Sequence, residues 1–215
     1  MATAIVLAGG GSRRFDGRDK AFATLDGKPL MAHVLEGVQP VADRIIVSCR
    51  NEQTTRIQSV LETLSIGSEI AVDDRLVGPL GGIEDGLSAS DTEWSIVVGC
   101  DVPFVDKRLF DALAPRENVD AVVPKIDGQI QPLCARYRTK AAYSVVNSAL
   151  DNGERWARLL PARLTSIGID ASEFPFDAEG RLYNVNTKAE LERLKTQSLC
   201  PKRYPPRCRS HRPKR

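Results

Sequence analysis

Ala4-Ile5-Val6-Leu7-Ala8-Gly9-Gly10-Gly11-Ser12-Arg13-Arg14-Phe15 runs from an uninterrupted apolar stretch directly into a glycine triplet and two arginines. An apolar run with no polar alternation reads as a strand buried on both faces, the kind found in parallel sheets. The glycines then let the chain turn sharply with its amides uncovered, and consecutive amides of this kind form a nest for an anion. Arg13, Arg14 and Lys20 add positive charge suited to a polyphosphate. A plain strand-to-helix turn would account for the glycines alone but not for the cations beside them.

Working outward, the same pattern of strand followed by helix repeats. Strands are expected at Ala4–Ala8, Arg44–Cys49, Glu69–Val72, Ser95–Gly99, Ala121–Pro124 and Leu133–Tyr137. Leu30, Met31, Val34, Leu35 and Val38 recur at helical spacing, as do Ile57, Val60, Leu61 and Leu64, and further helices are expected at Lys107–Leu113 and Lys140–Asp151. Alternation of this kind predicts a three-layer α/β/α fold with a mostly parallel central sheet. Thr187-Lys188-Ala189-Glu190 has the form of a capping box that opens a last helix, with Leu191 and Leu194 facing inward.

The formal charge of +2 hides an asymmetry. Residues 198–215 hold seven Lys or Arg and no acid, which leaves 23 basic against 28 acidic side chains in residues 1–197. The expected division is a folded domain over 1–197 and a basic, disordered tail over 198–215, because the tail carries too few apolar groups to offset its ordering entropy. The body has no nucleic-acid footprint. The tail reads as a solvated extension in preference to a nucleic-acid- or membrane-contacting arm. No apolar run is long enough to span a bilayer, the first residues lack the marks of a signal peptide, and the five cysteines form no CxxC pair. Cytoplasmic residence with reduced, buried thiols at Cys49, Cys100 and Cys134 is therefore expected.

Two familiar phosphate motifs are excluded. Lys20 is followed by Ala21 and has no glycine before it, so the stretch is not a P-loop, and Arg14 occupies the last glycine position of a dinucleotide fingerprint. Gly99-Cys100-Asp101-Val102-Pro103 closes the most hydrophobic strand. Ligands of open α/β sheets sit beyond the carboxyl ends of strands. A carboxylate there suits Mg²⁺, a hard ion that takes one or two carboxylates together with phosphate oxygens. Asp106 is better placed to cap the next helix, which frees Asp101 for the metal. Asp73-Asp74 followed by Gly78-Pro79-Leu80-Gly81-Gly82 repeats the arrangement of strand, acid, turn and helix. Asp74 suits a base, a sugar or a metal, and reads equally well as a solvated loop acid.

Taken in order, Leu7-Ala8-Gly9-Gly10 with Arg13-Arg14 and Asp19-Lys20, Asp26-Gly27-Lys28-Pro29-Leu30, Gly78 to Gly82, Cys100 to Pro103, Gln131-Pro132-Leu133-Cys134 and Asn184-Val185-Asn186-Thr187 resemble the molybdenum cofactor guanylyltransferase family. The resemblance runs from about Ile5 to Leu194. It implies a Rossmann-like nucleotidyltransferase fold and transfer of GMP from GTP to molybdopterin, with Mg²⁺ as cofactor. Molybdoenzymes or cofactor-insertion proteins are the implied transient partners. Leu7, Ala8, Gly9, Gly10 and Gly78 would meet the nucleotide, Lys20 and Arg14 its phosphates and the developing charge. Asp74 would lie at the nucleotide and Asp101 would hold the metal. Gln131, Asn184 and Asn186 would face the pterin, although Asn184 also suits a plain turn. A sister enzyme using CTP or another phosphorylated acceptor stays open.

Three departures from the family pattern stand out. Phe15-Asp16 replaces a Met-Gly pair and is expected to add bulk and an acid near the phosphates. Ser48 stands where the family often has Asn, and Gly81 stands where it often has Ala.

Overall fold

The computed structural model describes residues 1–10, 15, 19–73 and 78–198. In chain order the elements are β1 (Ala2–Leu7), the short hairpin β2 (Thr24–Leu25) and β3 (Lys28–Pro29), α1 (Leu30–Val38), β4 (Arg44–Cys49), α2 (Thr54–Leu64), β5 (Glu69–Val72), α3 (Pro79–Ser88), β6 (Trp94–Gly99), α4 (Lys107–Ala112), β7 (Ala121–Ile126), β8 (Gln129–Ile130), β9 (Cys134–Arg138), α5 (Thr139–Asp151), α6 (Leu159–Arg163), β10 (Ser166–Asp170), α7 (Ala178–Arg181) and α8 (Lys188–Ser198).

The large sheet has the order β10-β7-β9-β6-β1-β4-β5, with β8 folded back on β7. Pairing is parallel between β10 and β7, β6 and β1, β1 and β4, and β4 and β5; β9 runs antiparallel to both β6 and β7. The mostly parallel reading holds. The sequence did not mark β9 as reversed or reveal β10 as a strand.

Side chains alternate across the sheet, so each strand feeds two cores. Ala4, Val6, Val47, Ile96 and Val98 face one side, where Val34, Leu35, Ile57, Leu61, Leu109 and Phe110 cover them. Ile5, Val97, Ala135 and Tyr137 face the other, beneath Leu80, Ile83, Ala142 and Val146. Burial on both faces explains why the inner strands carry runs of Val and Ile without alternation.

A third, smaller core joins Phe15, Leu25 and Leu30 to Val185, Leu191 and Leu194. Its consequence for the glycine loop is a correction. Phe15 is only 4% exposed, and its ring packs into this core instead of crowding the phosphates. Asp16 lies outside the described residues.

The predicted caps form as read. Glu190 N–H donates to the Thr187 hydroxyl at 3.1 Å, and Thr187 N–H donates back to the Glu190 carboxylate at 2.9 Å. Asp106 accepts from Leu109 N–H at 3.1 Å and also receives Arg181 Nε at 2.8 Å, which ties α7 to the start of α4. Val185 N–H donates to the Asp101 carbonyl at 2.8 Å, so the turn before α8 is fastened to the end of β6. These two ties bring Asn184 and Asn186 beside the sheet, far in sequence from everything else at that edge.

Candidate active site

The carboxyl ends of β1, β4, β5 and β6 meet at one edge of the sheet. The ladder continues one residue past each strand. Ala8 N–H donates to Ser48 O at 2.8 Å, Cys100 N–H to Leu7 O at 3.0 Å and Asp73 N–H to Cys49 O at 2.7 Å. These bonds fix where the chain leaves the sheet and therefore where its side chains emerge.

A cavity of about 490 Å³ opens there, lined by Leu7, Ala8, Gly9, Gly10, Lys20, Ser48, Arg50, Asp73, Gly78, Pro79, Gly99 and Asp101, among others. Such a volume suits a nucleotide-sized ligand. Gly78 and Pro79 form the opening of α3, whose first amides have no intrahelical acceptor and so favour an anion.

Lys20 Nζ sits 2.7 Å from Asp101 Oδ2, with the two side chains 16% and 24% exposed. Lys20 also reaches Asn186 Oδ1 at 3.5 Å. The other carboxylate oxygen of Asp101 folds over Gly99, where a Cβ would come within 2.5 Å of Oδ1. The absent side chain at residue 99 thus gives Asp101 the room to turn into the cavity.

Three residues to which the sequence reading gave no role hold this arrangement. Asp19 caps the turn carrying Lys20 by accepting from Ala21 N–H at 3.1 Å. Gln53, 1% exposed, donates through Nε2 to Asp19 Oδ2 at 2.5 Å and to Ala8 O at 3.0 Å. Arg50 N–H donates to Gln53 Oε1 at 2.9 Å, and its guanidinium lies 3.6 Å from Asp19. One amide side chain therefore links the end of β1, the start of α2 and the turn that carries Lys20. Arg50 to Gln53 follow the carboxyl end of β4, so the strand-end rule points to this segment, while nothing local marks Gln53 within it.

A second cavity of about 370 Å³ adjoins the first. Gln129 to Cys134, Trp156 to Arg158, Val102, Leu182 and Asn184 line it, and Leu133 lines both cavities. Gln131 and Asn184 both line this cavity. Asn186 does not line this cavity; it stands at the Lys20 side. Asn184 Oδ1 is shielded from solvent with no hydrogen-bond partner. Arg14 and Asp74 lie outside the described residues.

Among the described residues no group of three or more His, Cys, Asp or Glu forms a cage for a cation. Asp101, partly exposed at the nucleotide-sized cavity, fits Mg²⁺ in the mode where substrate oxygens complete the shell. Burial pushes the Cys100 and Cys134 thiols well above their ordinary pKa, and Cys49 moves the same way. All three are buried free thiols, with Cys100 at the wall of the first cavity and Cys134 at that of the second. His33, half-buried on α1, shares a 2.8 Å hydrogen bond with Leu25 O and takes no part in the site.

A doubly wound sheet whose switch edge combines a glycine turn, a lysine and a strand-end aspartate defines an NTP-using group-transfer enzyme. Comparison with known proteins agrees. Residues 4–163 match the MobA-like NTP transferase domain. A probable molybdenum cofactor guanylyltransferase of Natronomonas pharaonis is 33% identical over 90% of this chain and 96% of its own length. A molybdenum cofactor guanylyltransferase of Pseudomonas putida is 31% identical over 87% of this chain and 94% of its own. The crystal structure of molybdopterin-guanine dinucleotide biosynthesis protein A from Archaeoglobus fulgidus superposes with a TM-score of 0.75 at 28% identity, covering 93% of this chain and 99% of that one. The chain belongs to the MobA-like NTP transferase family.

Proposed function

We propose that this chain transfers GMP from GTP to molybdopterin, giving molybdopterin guanine dinucleotide and pyrophosphate. The observation that carries the reading is the Lys20–Asp101 pair at the floor of the glycine-lined cavity, with a second cavity sharing the wall at Leu133. The names of the relatives supply the substrates.

In this reading the first cavity takes GTP. The backbone of Leu7, Ala8, Gly9 and Gly10 faces the nucleotide, and Gly78 at the opening of α3 adds helix amides. Asp74 serves the nucleotide as well. The acceptor's terminal phosphate is already an anion and needs no side-chain base. Its oxygen bonds to the α-phosphorus, the bond from that phosphorus to the bridging oxygen breaks, and pyrophosphate leaves with the electron pair. The protein's work is positioning and charge neutralisation. Lys20 and Arg14 neutralise the charge gathering on the leaving group. Asp101 would hold Mg²⁺, which when bound supplies charge neutralisation at the phosphates. Gln131 and Asn184 face the pterin from the second cavity, while Asn186 reaches it from beside Lys20.

The reaction belongs in the cytoplasm, where Cys49, Cys100 and Cys134 stay reduced. The product passes to a molybdoenzyme or a cofactor-insertion protein by transient contact. Among the described residues no helix is long and apolar enough to cross a membrane.

Pyrophosphate release measured with molybdopterin and each of GTP, CTP, ATP and UTP tests the reading. Release confined to GTP is expected. Release with CTP alone would make the chain a cytidylyltransferase, and none with any nucleotide would remove the acceptor assignment.

A further inference from the structure

Among the described residues only Met1 and Trp156 are large apolar side chains left in the open, Trp156 at 70% exposure. Trp156 does not lie on a loose end. Behind it, Glu154 N–H donates to Ala149 O at 2.9 Å and Glu154 pairs with Arg163 at 2.7 Å. Ahead of it, Ala157 and Leu160 are buried against α5, and Leu159 N–H donates to Trp156 O at 3.0 Å. The backbone is thus fixed on both sides while the indole is held out of the core. A rigid aromatic exposed in this way is unfavourable unless something covers it.

The indole borders the second cavity. That cavity pairs apolar wall at Pro132 and Leu133 with polar groups at Gln131 and Asn184, whose shielded Oδ1 lacks a donor. A buried acceptor without a partner is unusual in a folded protein and marks a place for an incoming N–H. The Arg155 carbonyl lies 3.8 Å from the position a Cβ on Gly78 would take, so the Trp156 segment abuts the turn that opens the nucleotide cavity. A flat ring with a π-face, carrying N–H donors on its edge, satisfies every one of these features.

We infer that Trp156 is a stacking platform for the planar ring system of the acceptor substrate. The inference deepens the proposed guanylyl transfer and rests on it for the identity of the ring, a pterin. The indole fixes the ring's plane, Asn184 and Gln131 read its edge, and the acceptor's phosphate is left pointing toward Asp101.

The test compares wild type with Trp156→Ala and Trp156→Phe in two measurements. In steady-state pyrophosphate release at saturating GTP, Trp156→Ala raises the KM for molybdopterin about tenfold or more, within the range of base–aromatic stacking. The KM for GTP and the melting temperature stay at their wild-type values, and Trp156→Phe recovers most of the loss. In the absence of GTP, a tetrahydropterin quenches the indole emission of wild type and leaves that of Trp156→Phe, which reports Trp94 alone, unchanged. An active wild type whose molybdopterin KM is the same in Trp156→Ala overturns the stacking role and leaves the transferase reading intact. Equal increases in both KM values also overturn it, by placing Trp156 at the nucleotide. A wild type that makes no product from GTP and molybdopterin sinks the transferase reading; quenching by the pterin would then still uphold Trp156 as a ring platform, and its absence would refute it.

Discussion

Gly99→Ala is the smallest change that should disable this site without touching any group assigned to chemistry. The added Cβ would stand 2.5 Å from Asp101 Oδ1, where ordinary contact begins at 3.4 Å. The carboxylate must therefore retreat by roughly 0.9 Å, within the range where a 1 Å displacement costs about a hundredfold in rate. Lys20, now 2.7 Å from Oδ2, must follow or lose its partner. Both side chains are partly solvated, so the ion pair is screened and its loss shifts stability by on the order of 1 kcal/mol. The expected phenotype is a kcat lower by about two orders of magnitude, measured by pyrophosphate release, with a melting temperature within a few degrees of wild type. The decisive control is the double variant with Asp101→Ala. If Gly99→Ala acts through the carboxylate, it adds nothing once the carboxylate is gone. Full additivity, or an unchanged kcat in the single variant, would refute the claim that the bare Cα at residue 99 sets the position of Asp101.

Lys20→Ala should raise the GTP KM and lower kcat together; unaltered kinetics would remove its phosphate role. Gln53→Ala leaves the Ala8 carbonyl and the Asp19 carboxylate short of a donor, so urea unfolding should show a loss of about 1–3 kcal/mol, and GTP binding should weaken as the Lys20 turn loosens. A stable variant with normal GTP affinity would mean that the turn holds without Gln53. Chelation by EDTA should abolish turnover and leave the melting curve unmoved, because no cage of protein ligands forms among the described residues. Cys49, Cys100 and Cys134 should resist a thiol reagent at pH 8 in the folded protein and react in guanidinium, since burial holds their pKa up and keeps the thiolate scarce. Rapid labelling of any of the three in the native state, mapped by mass spectrometry, would contradict that.

The layers of the fold were legible because doubly buried strands leave unbroken runs of Val and Ile, and their covering helices repeat apolar residues at helical spacing. Arg44–Cys49 and Glu69–Val72 were read to the residue. Strand direction was not legible. Nothing within Cys134 to Arg138 states its direction, and what reverses it is the short connection through β8. β10 escaped because Ser166-Ile167-Gly168-Ile169-Asp170 pairs on one side only and carries few apolar residues. At the site, Asp101 and Lys20 could be singled out because charge at a strand end or beside a glycine turn has few structural uses. Gln53 could not. A buried amide looks like any polar helix-start residue until the Ala8 carbonyl and the Asp19 carboxylate are seen to converge on it. Phe15 misled for a related reason, since nothing local distinguishes a ring over a ligand from one packed into Leu25, Leu30 and Val185.

The reversed strand explains how one edge of the sheet carries two adjoining cavities. In an all-parallel sheet only chain leaving a strand reaches the carboxyl edge, and each strand contributes one loop there. Because β9 runs the other way between β6 and β7, its entering segment also arrives at that edge. Leu133, the residue before β9, accepts from Gly99 N–H at 2.9 Å and so stands directly beside the turn into Asp101. It forms a wall common to both cavities, with Gln131 and Pro132 on one side and Lys20 and Asp101 on the other. The antiparallel insertion thus adds a second lined cavity at the point where the nucleotide phosphates would end. That is the geometry a transfer between two bound molecules requires, because the acceptor's oxygen must approach the α-phosphorus from a seat of its own.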